Sequence, residues 1–244
     1  MSLAQVLFSQ GFGTRRECEG LIASGQGSIE GRCCDDSSEA FETAGLNFSV
    51  RGVAWPFREH ALIVLNKPAG LECSQKPRHH PSVYSLLPAP LRRRNVQAIG
   101  RLDADTTGLL LFSDDGALIH RLTSPRHHVP KVYEIKCKHV VDAAQAQRLR
   151  SGVLLLDETT PVRAAACEVT GATQLRLTLL EGKYHQVKRM VAAVGNRVEA
   201  LHRSRFGALA LPDDLASGAW RWLDGPQVLL AAPLSINPDV LSVA

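Results

Sequence analysis

The chain has 244 residues, 45% of them apolar, enough for one sizeable domain and a smaller one whose cores need no disulfides. Six cysteines (Cys18, Cys33, Cys34, Cys73, Cys137 and Cys167) form no Cys-x-x-Cys pair and no zinc-ligand spacing, and no apolar run approaches the roughly 20 residues of a membrane span. A net charge of +4 hides an asymmetry: residues 1–60 carry five basic and eight acidic side chains, net −3, and the remainder 23 and 16, net +7, so a polyanion is expected to seek the second part.

The opening residues lack the basic start and apolar core of a signal peptide, and a reduced cytoplasmic protein is expected. LAQVLFSQGFGTRRECEGLIASGQGSIEGR then reads as helix, glycine-rich turn, second helix and a turn into a short strand. Thr14 suits the N-cap of a helix over Arg15 to Ala23, with Glu17 placed to complete a capping box. Val53 to His60 reads as a linker. Leu62 to Leu65 follows as a buried strand, and Asn66-Lys67-Pro68-Ala69-Gly70 as a turn.

The segment Gly100 to Pro125, GRLDADTTGLLLFSDDGALIHRLTSP, carries most information. A short strand is expected to end at Leu102, the chain to turn at Thr107-Gly108, and a buried strand to cover Leu109 to Phe112. Arg101 and Asp103, two apart on that strand, would share a face, with Asp105 on the same side. Ser113 or Asp114 is placed to cap a helix over Ala117 to Leu122. Val132 to Lys136 reads as a strand, Asp142 to Arg150 as a capped helix stopped by Gly152, and Leu175 to Leu179 as a half-buried strand. EGKYHQVKRMVAAVGN, Glu181 to Asn196, is a turn and a helix with the apolar stripe Val187, Met190, Val191 and Val194, ended by Gly195. Arg197 to Leu211 and Trp220 to Leu223 supply the last strands. Many strands, few helices and mixed order predict an α+β domain on a mixed or antiparallel sheet.

These motifs, with NKPAG, SPRHH and Lys131-Val132-Tyr133, resemble the pseudouridine synthases over about Leu62 to Leu234, in the branch that modifies small-subunit ribosomal RNA (the RsuA type). The first 58 residues resemble the S-four-type (alpha-L) RNA-binding domain, with Arg15, Arg16 and Arg32 in agreement, Ser2-Leu3-Ala4 where basic residues usually stand, and acidic Asp35, Asp36, Glu39 and Glu42 opposing RNA. The resemblance implies a small RNA-binding domain over residues 1–58, a catalytic domain over 62–234, and isomerisation of one 16S uridine to pseudouridine, or of a 23S uridine as the alternative. It makes Asp103 the catalytic carboxylate, Lys188 its cationic partner, Tyr133 the active-site tyrosine and Arg101 the side chain that holds the flipped nucleotide. Asp103 would act through an adduct with the nucleoside or by helping detach the base as a glycal.

The reaction consumes no water and no electron, so no metal or redox cofactor is expected. Candidate RNA contacts are Arg15, Arg16, Arg92, Arg93, Arg94, Arg126, His127, His128, Arg189 and Arg203, with ribosomal RNA as partner, no membrane, and a monomer expected. The adjacent pairs His79-His80 and His127-His128 point their rings apart, which suits phosphate contact or exposure better than a metal. Two rival readings use the same residues. Asp103, Asp105, Asp114 and Asp115 would hold Mg²⁺ for phosphoryl transfer, or the chain would be a non-catalytic RNA-binding assembly factor.

Overall fold

The computed structural model describes residues 1–230, so the expected catalytic domain is seen except for residues 231–234, which lie outside the described residues. Two compact units are present, residues 1–61 with 87–97, and residues 62–86 with 98 onward.

In the first unit α1 (Leu3–Ser9) and α2 (Arg15–Ala23) precede β1 (Gly27–Ile29), β2 (Arg32–Cys33), β3 (Asn47–Val50) and β4 (Val53–Pro56), which form an antiparallel sheet in the order β2-β1-β3-β4. Thr14 caps α2 as its sequence predicts: its side chain accepts from the Glu17 amide, and Glu17 accepts from the Thr14 amide. The expected linker from Val53 is instead an edge strand. Arg51 and Gly52, both at positive φ, make a tight hairpin turn, and Trp55 is buried. Pro56 ends this strand, where an edge position tolerates a residue with no amide hydrogen.

A further segment joins this unit from within the stretch assigned to the catalytic domain. The short helix α3 (Ala89–Arg93) buries Leu91, and the Arg94 guanidinium donates to the Gln10 side chain and to the carbonyls of Arg58 and Glu59. With Arg92 to Arg94 included, the first unit holds eight basic and eight acidic side chains, net zero, and the second 20 and 16, net +4.

The second unit is built on β5 (Leu62–Lys67), β6 (Gln97–Ile99), β7 (Thr107–Ser113), β8 (Lys131–Cys137), β9 (Ala166–Gly171), β10 (Gln174–Leu179), β11 (Val198–Phe206), β12 (Leu209–Ala210) and β13 (Trp220–Trp222). Its mixed sheet runs β13-β5-β7-β11-β8-β10-β9, with β7 and β11 parallel and the other pairs along that path antiparallel. Helices α4 (Gly116–Thr123), α5 (Ala143–Ser151), α6 (Gln186–Ala193) and the short α7 (Gln227–Leu230) complete it. This is the expected α+β class.

Leu62, Val64, Leu109, Leu111, Leu122 and Phe206 form the centre of one core, under α4. The cap of α4 is Asp115, whose carboxylate accepts from the amides of Ala117 and Leu118; Ser113 is still buried in β7 and its hydroxyl accepts from the Asp115 amide. The stripe Val187, Met190, Val191 and Val194 is buried as its spacing requires.

The central parallel pairing depends on Gly108. It sits at φ +101° opposite Arg203, and a Cβ there would lie 2.4 Å from the Arg203 carbonyl oxygen and 2.9 Å from its nitrogen. Gly108→Ala should destabilise the protein by about 2 kcal/mol or more, since backbone strain and overpacking each cost on the order of 1–3 kcal/mol. Gly116→Ala, with no atom within 4 Å of the added carbon, should be neutral or slightly stabilising. Denaturant melts of the two variants side by side check this contrast.

Candidate active site

The strand expected to end at Leu102 stops at Ile99, Leu102 to Thr106 is a loop whose carbonyls a buried amine takes up, and the expected turn at Thr107-Gly108 is already the start of β7. Lys67, fully buried at the end of β5, places Nζ 3.0 Å from the Pro68 oxygen, 3.1 Å from those of Asp103 and Ala104, and 2.8 Å from that of Thr106. The Gly70 amide also donates to Ala104, the Thr106 amide to the Asp103 carbonyl, and the Leu102 amide to Cys73 Sγ at 3.5 Å. Carbonyls gathered on one ammonium turn inward, leaving Asp103 partly exposed and Asp105 exposed while Leu102 and Thr106 stay buried. Burial pushes the Lys67 amine below its ordinary pKa, opposed by Cys73, Asp105 and Asp103.

Asp103 is partly exposed and touches a histidine and a lysine. His185 Nε2 lies 3.4 Å from Oδ1 and Lys188 Nζ lies 3.3 Å from Oδ2. Lys188 is closer to Asp105, at 2.7 and 2.8 Å from its two carboxylate oxygens. The sequence reading paired Lys188 with Asp103 alone and left Asp105 as a neighbour; in the structure one amine bridges both. Partial burial works against the charged form of Lys188, but hydrogen bonding to Asp105 and the Asp103 charge raise its pKa. Burial likewise works to raise the Asp105 carboxyl, and Lys188 outweighs it and holds that carboxyl below its usual range.

The turn before α6 is pinned by Gln186, which is buried, donates to Glu181 at 3.0 Å and accepts from the Lys183 amide at 2.8 Å. His185 caps the helix in the left-handed region, φ +47°, with the Tyr184 ring stacked on it at 3.9 Å.

Arg101 is exposed and has no carboxylate partner among the described residues; no Arg101–Asp103 salt bridge forms. Tyr133 lies on β8 directly opposite Arg203 on β11. Asp103, Arg101, Tyr133 and Lys188 all line a cavity of about 80 Å³, the scale of one small ring, together with His185, Gln186 and Leu201. Asp103, Arg101 and Tyr133 also line a cleft of about 820 Å³.

The expected RNA contacts divide. Arg126, His127 and His128 are exposed in a turn after α4 and do not line the cleft. Arg189 is not free for RNA: it reaches Asp157 at 3.0 Å and the Tyr184 carbonyl at 3.2 Å. Arg203 is no surface contact either, being 2% exposed with Nε donating to the Leu109 carbonyl at 2.8 Å. In the first unit Arg15, Arg16, Arg92 and Arg93 are exposed, Arg93 donating to the Phe12 carbonyl, while Arg94 is tied into the fold and Arg32 pairs with Glu39.

Residues the sequence reading passed over also line the cleft, among them Glu72, Arg78, Lys131, Lys183 and Tyr184. Glu72 accepts from the amides of Arg78, His79 and His80 and so shapes that basic loop. Lys131 was within reach of sequence logic: it stands two residues before Tyr133 on the same strand, hence on the same face.

A carboxylate on a fixed loop, bridged to a lysine, thus stands with a tyrosine at a ring-sized cavity that adjoins a larger, basic cleft. The profile of the RNA pseudouridylate synthase family matches residues 61–193, and the chain belongs to that family, whose members isomerise uridine in RNA. It is 47% identical to the ribosomal small subunit pseudouridine synthase A of Escherichia coli strain K12 over 165 residues, 68% of this chain and 71% of that protein. It is 36% identical to the protein of the same name from Vibrio parahaemolyticus over 222 residues, 88% and 92% of the two chains. A crystal structure of a pseudouridylate synthase superposes with a TM-score of 0.66 at 32% identity, covering 93% of this chain and 98% of that one.

Lys67→Met keeps the volume but removes the amine's hydrogen bonds to the carbonyls of Asp103, Ala104 and Thr106. An unsatisfied buried polar group costs roughly 1–3 kcal/mol, so a loss of about 2 kcal/mol or more is expected together with a fall in turnover. Urea unfolding and single-turnover rates on one preparation check both; a variant as stable and as fast as wild type would show that the loop holds itself.

Proposed function

We propose that this protein isomerises one uridine of 16S ribosomal RNA to pseudouridine, with Asp103 as the catalytic carboxylate. The observation that carries the reading is the convergence on Asp103: a loop carboxylate whose two oxygens face His185 and Lys188, at the wall of a ring-sized cavity shared with Tyr133. The names of the relatives supply the small-subunit substrate.

In the reaction the N1–C1′ bond breaks, a C5–C1′ bond forms, and the proton lost from C5 is balanced by one gained at N1. The protein must therefore supply an ionised carboxylate at the ribose, retain the detached base and move a proton. Lys188 and His185 stand against the two oxygens of Asp103 and fix where the carboxylate meets the ribose. Tyr133 offers a ring for stacking and a hydroxyl for the proton, and the small cavity keeps the uracil beside the ribose. Arg101, exposed at the rim of the same cavity and unpaired with any carboxylate, occupies the space left in the RNA helix by the flipped nucleotide. The Mg²⁺ phosphoryl-transfer reading loses support from the structure, since Lys188 occupies both oxygens of Asp105 and Asp115 is spent as a helix cap. The RNA itself lies along the second unit, with exposed Arg15 and Arg16 of the first unit adding contacts, and the protein works as a cytoplasmic monomer.

Asp103→Asn should abolish pseudouridine formation while leaving the melting temperature and most RNA affinity unchanged. Tyr133→Phe should keep affinity but slow the single-turnover rate by about 10² to 10⁴, the worth of a positioned acid or base. Mapping pseudouridine in 16S and 23S RNA from cells lacking the gene, with and without the Asp103→Asn copy, tests the assignment. An unchanged 16S map, or a lost 23S position, would overturn it.

A further inference from the structure

Lys131 and Arg203 are the two most deeply buried cations of the large cleft, and the mechanism above uses neither. They stand on adjacent strands, diagonally related by the register Lys131↔Phe206 and Tyr133↔Arg203. Both sit over the ring of Phe206, the Lys131 amine 5.6 Å and the Arg203 guanidinium 5.4 Å from its centre. Lys131 is 8% exposed and Arg203 2%. Arg203 Nη2 is buried with no hydrogen-bond partner, and no hydrogen bond or ion pair engages the Lys131 amine among the described residues.

Two buried like charges beside one aromatic ring, with no carboxylate hydrogen-bonded to either among the described residues, are costly unless an anion arrives. The charged groups that act on Lys131 are Arg203 and Glu181, and the Glu181 carboxylate is already held by Gln186. Burial first, then the Arg203 charge, push the Lys131 amine down to about 8, with Glu181 opposing. The cleft containing these cations also contains Asp103, Arg101 and Tyr133.

We propose that Lys131, backed by the buried charge of Arg203, is a phosphate subsite for the backbone phosphate adjoining the nucleotide that reacts at Asp103. The identity of the ligand as RNA rests on the function proposed above; the anion site itself does not. Lys131 makes the contact, and Arg203 behind it raises the local potential without leaving the wall. A phosphate clamped there fixes the backbone on one side of the flipped nucleotide, so that the ribose, and not only the base, is held against the carboxylate.

Binding of uridine, uridine 5′-monophosphate, uridine 3′-monophosphate and inorganic phosphate to the full-length protein, by calorimetry at low salt, tests this. At pH 7 one of the two monophosphates should bind about tenfold or more tighter than uridine, and which one it is assigns the phosphate to the 5′ or the 3′ side. Lys131→Met should erase that margin and Lys131→Arg should keep most of it. The margin should shrink as pH rises through about 8, where the Lys131 amine loses its proton, although the phosphate does not lose charge.

Stability should move the other way. A lysine whose folded pKa is depressed disfavours the folded state below that pKa, so Lys131→Met should raise the melting temperature at pH 7 and the gain should fade between about 8 and the ordinary lysine value. Equal affinity for uridine and both monophosphates in the wild type, or an equal margin in Lys131→Met, would sink the subsite. Inorganic phosphate binding as tightly as the better nucleotide would sink its assignment to RNA. Turnover of 16S RNA measured on the same protein separates this result from the proposed function. A monophosphate margin without turnover leaves the subsite standing and removes the reaction, and turnover without the margin does the reverse.

Discussion

A lysine amine buried under a loop has few ways to stay charged, and here it has one: the carbonyls of Pro68, Asp103, Ala104 and Thr106 surround it. The loop has the complementary need, because a peptide turned in against the sheet must satisfy its oxygens without a strand partner. Each solves the problem of the other, and the result fixes where Asp103 can point. Lys67 pairs with Gly108 across β5 and β7, so the amine is carried by the most buried strands of the unit. The Asp103 carboxylate thus inherits the rigidity of the core through backbone hydrogen bonds of its loop, while its two oxygens face His185 and Lys188.

Around that anchor the charges are arranged by depth. Lys188 spans two carboxylates near solvent, where an ion pair costs little and adds little to stability. Lys131 and Arg203 lie deeper, with an aromatic face and no anion. Depth converts the same kind of residue from a stabilising partner into a strained one, and strain of this sort is relieved by ligand. The site therefore holds its stability and its affinity in opposition, a common bargain at positions that must receive a phosphate.

Parallel pairing of β7 with β11 brings these two charge systems together. The loop with Asp103 leads into β7, β11 carries Arg203, and β8 sets Tyr133 and Lys131 on the other side of β11. Gly108 permits the close approach at the one place where a side chain would strike the Arg203 backbone. The first unit, neutral once α3 is counted in it, contributes exposed Arg15 and Arg16 but no excess charge, so long-range attraction of RNA rests on the second unit.

Local signals were legible in the chain itself. The Thr14–Glu17 capping box, the apolar stripe of α6 with Gly195 after it, the buried run Leu109 to Phe112 and the Asp142-capped α5 depend on neighbours within a few residues, and all were read correctly. So was the family, and Asp103, Tyr133, Lys188 and Arg101, singled out in the chain, line one cavity. What failed to show in sequence depends on groups far apart along the chain. The loop that carries Asp103 is held by Lys67, 36 residues earlier. The sharing of Lys188 with Asp105 spans 83 residues, the burial of Arg203 follows from its place beside β7, and the residues 87–97 join the first unit through Gln10, Arg58 and Glu59. Residue type and spacing determine which chemistry is available and which elements form. Whether a given arginine meets RNA, a carboxylate or the inside of a wall is decided by the register of strands, which no local pattern encodes.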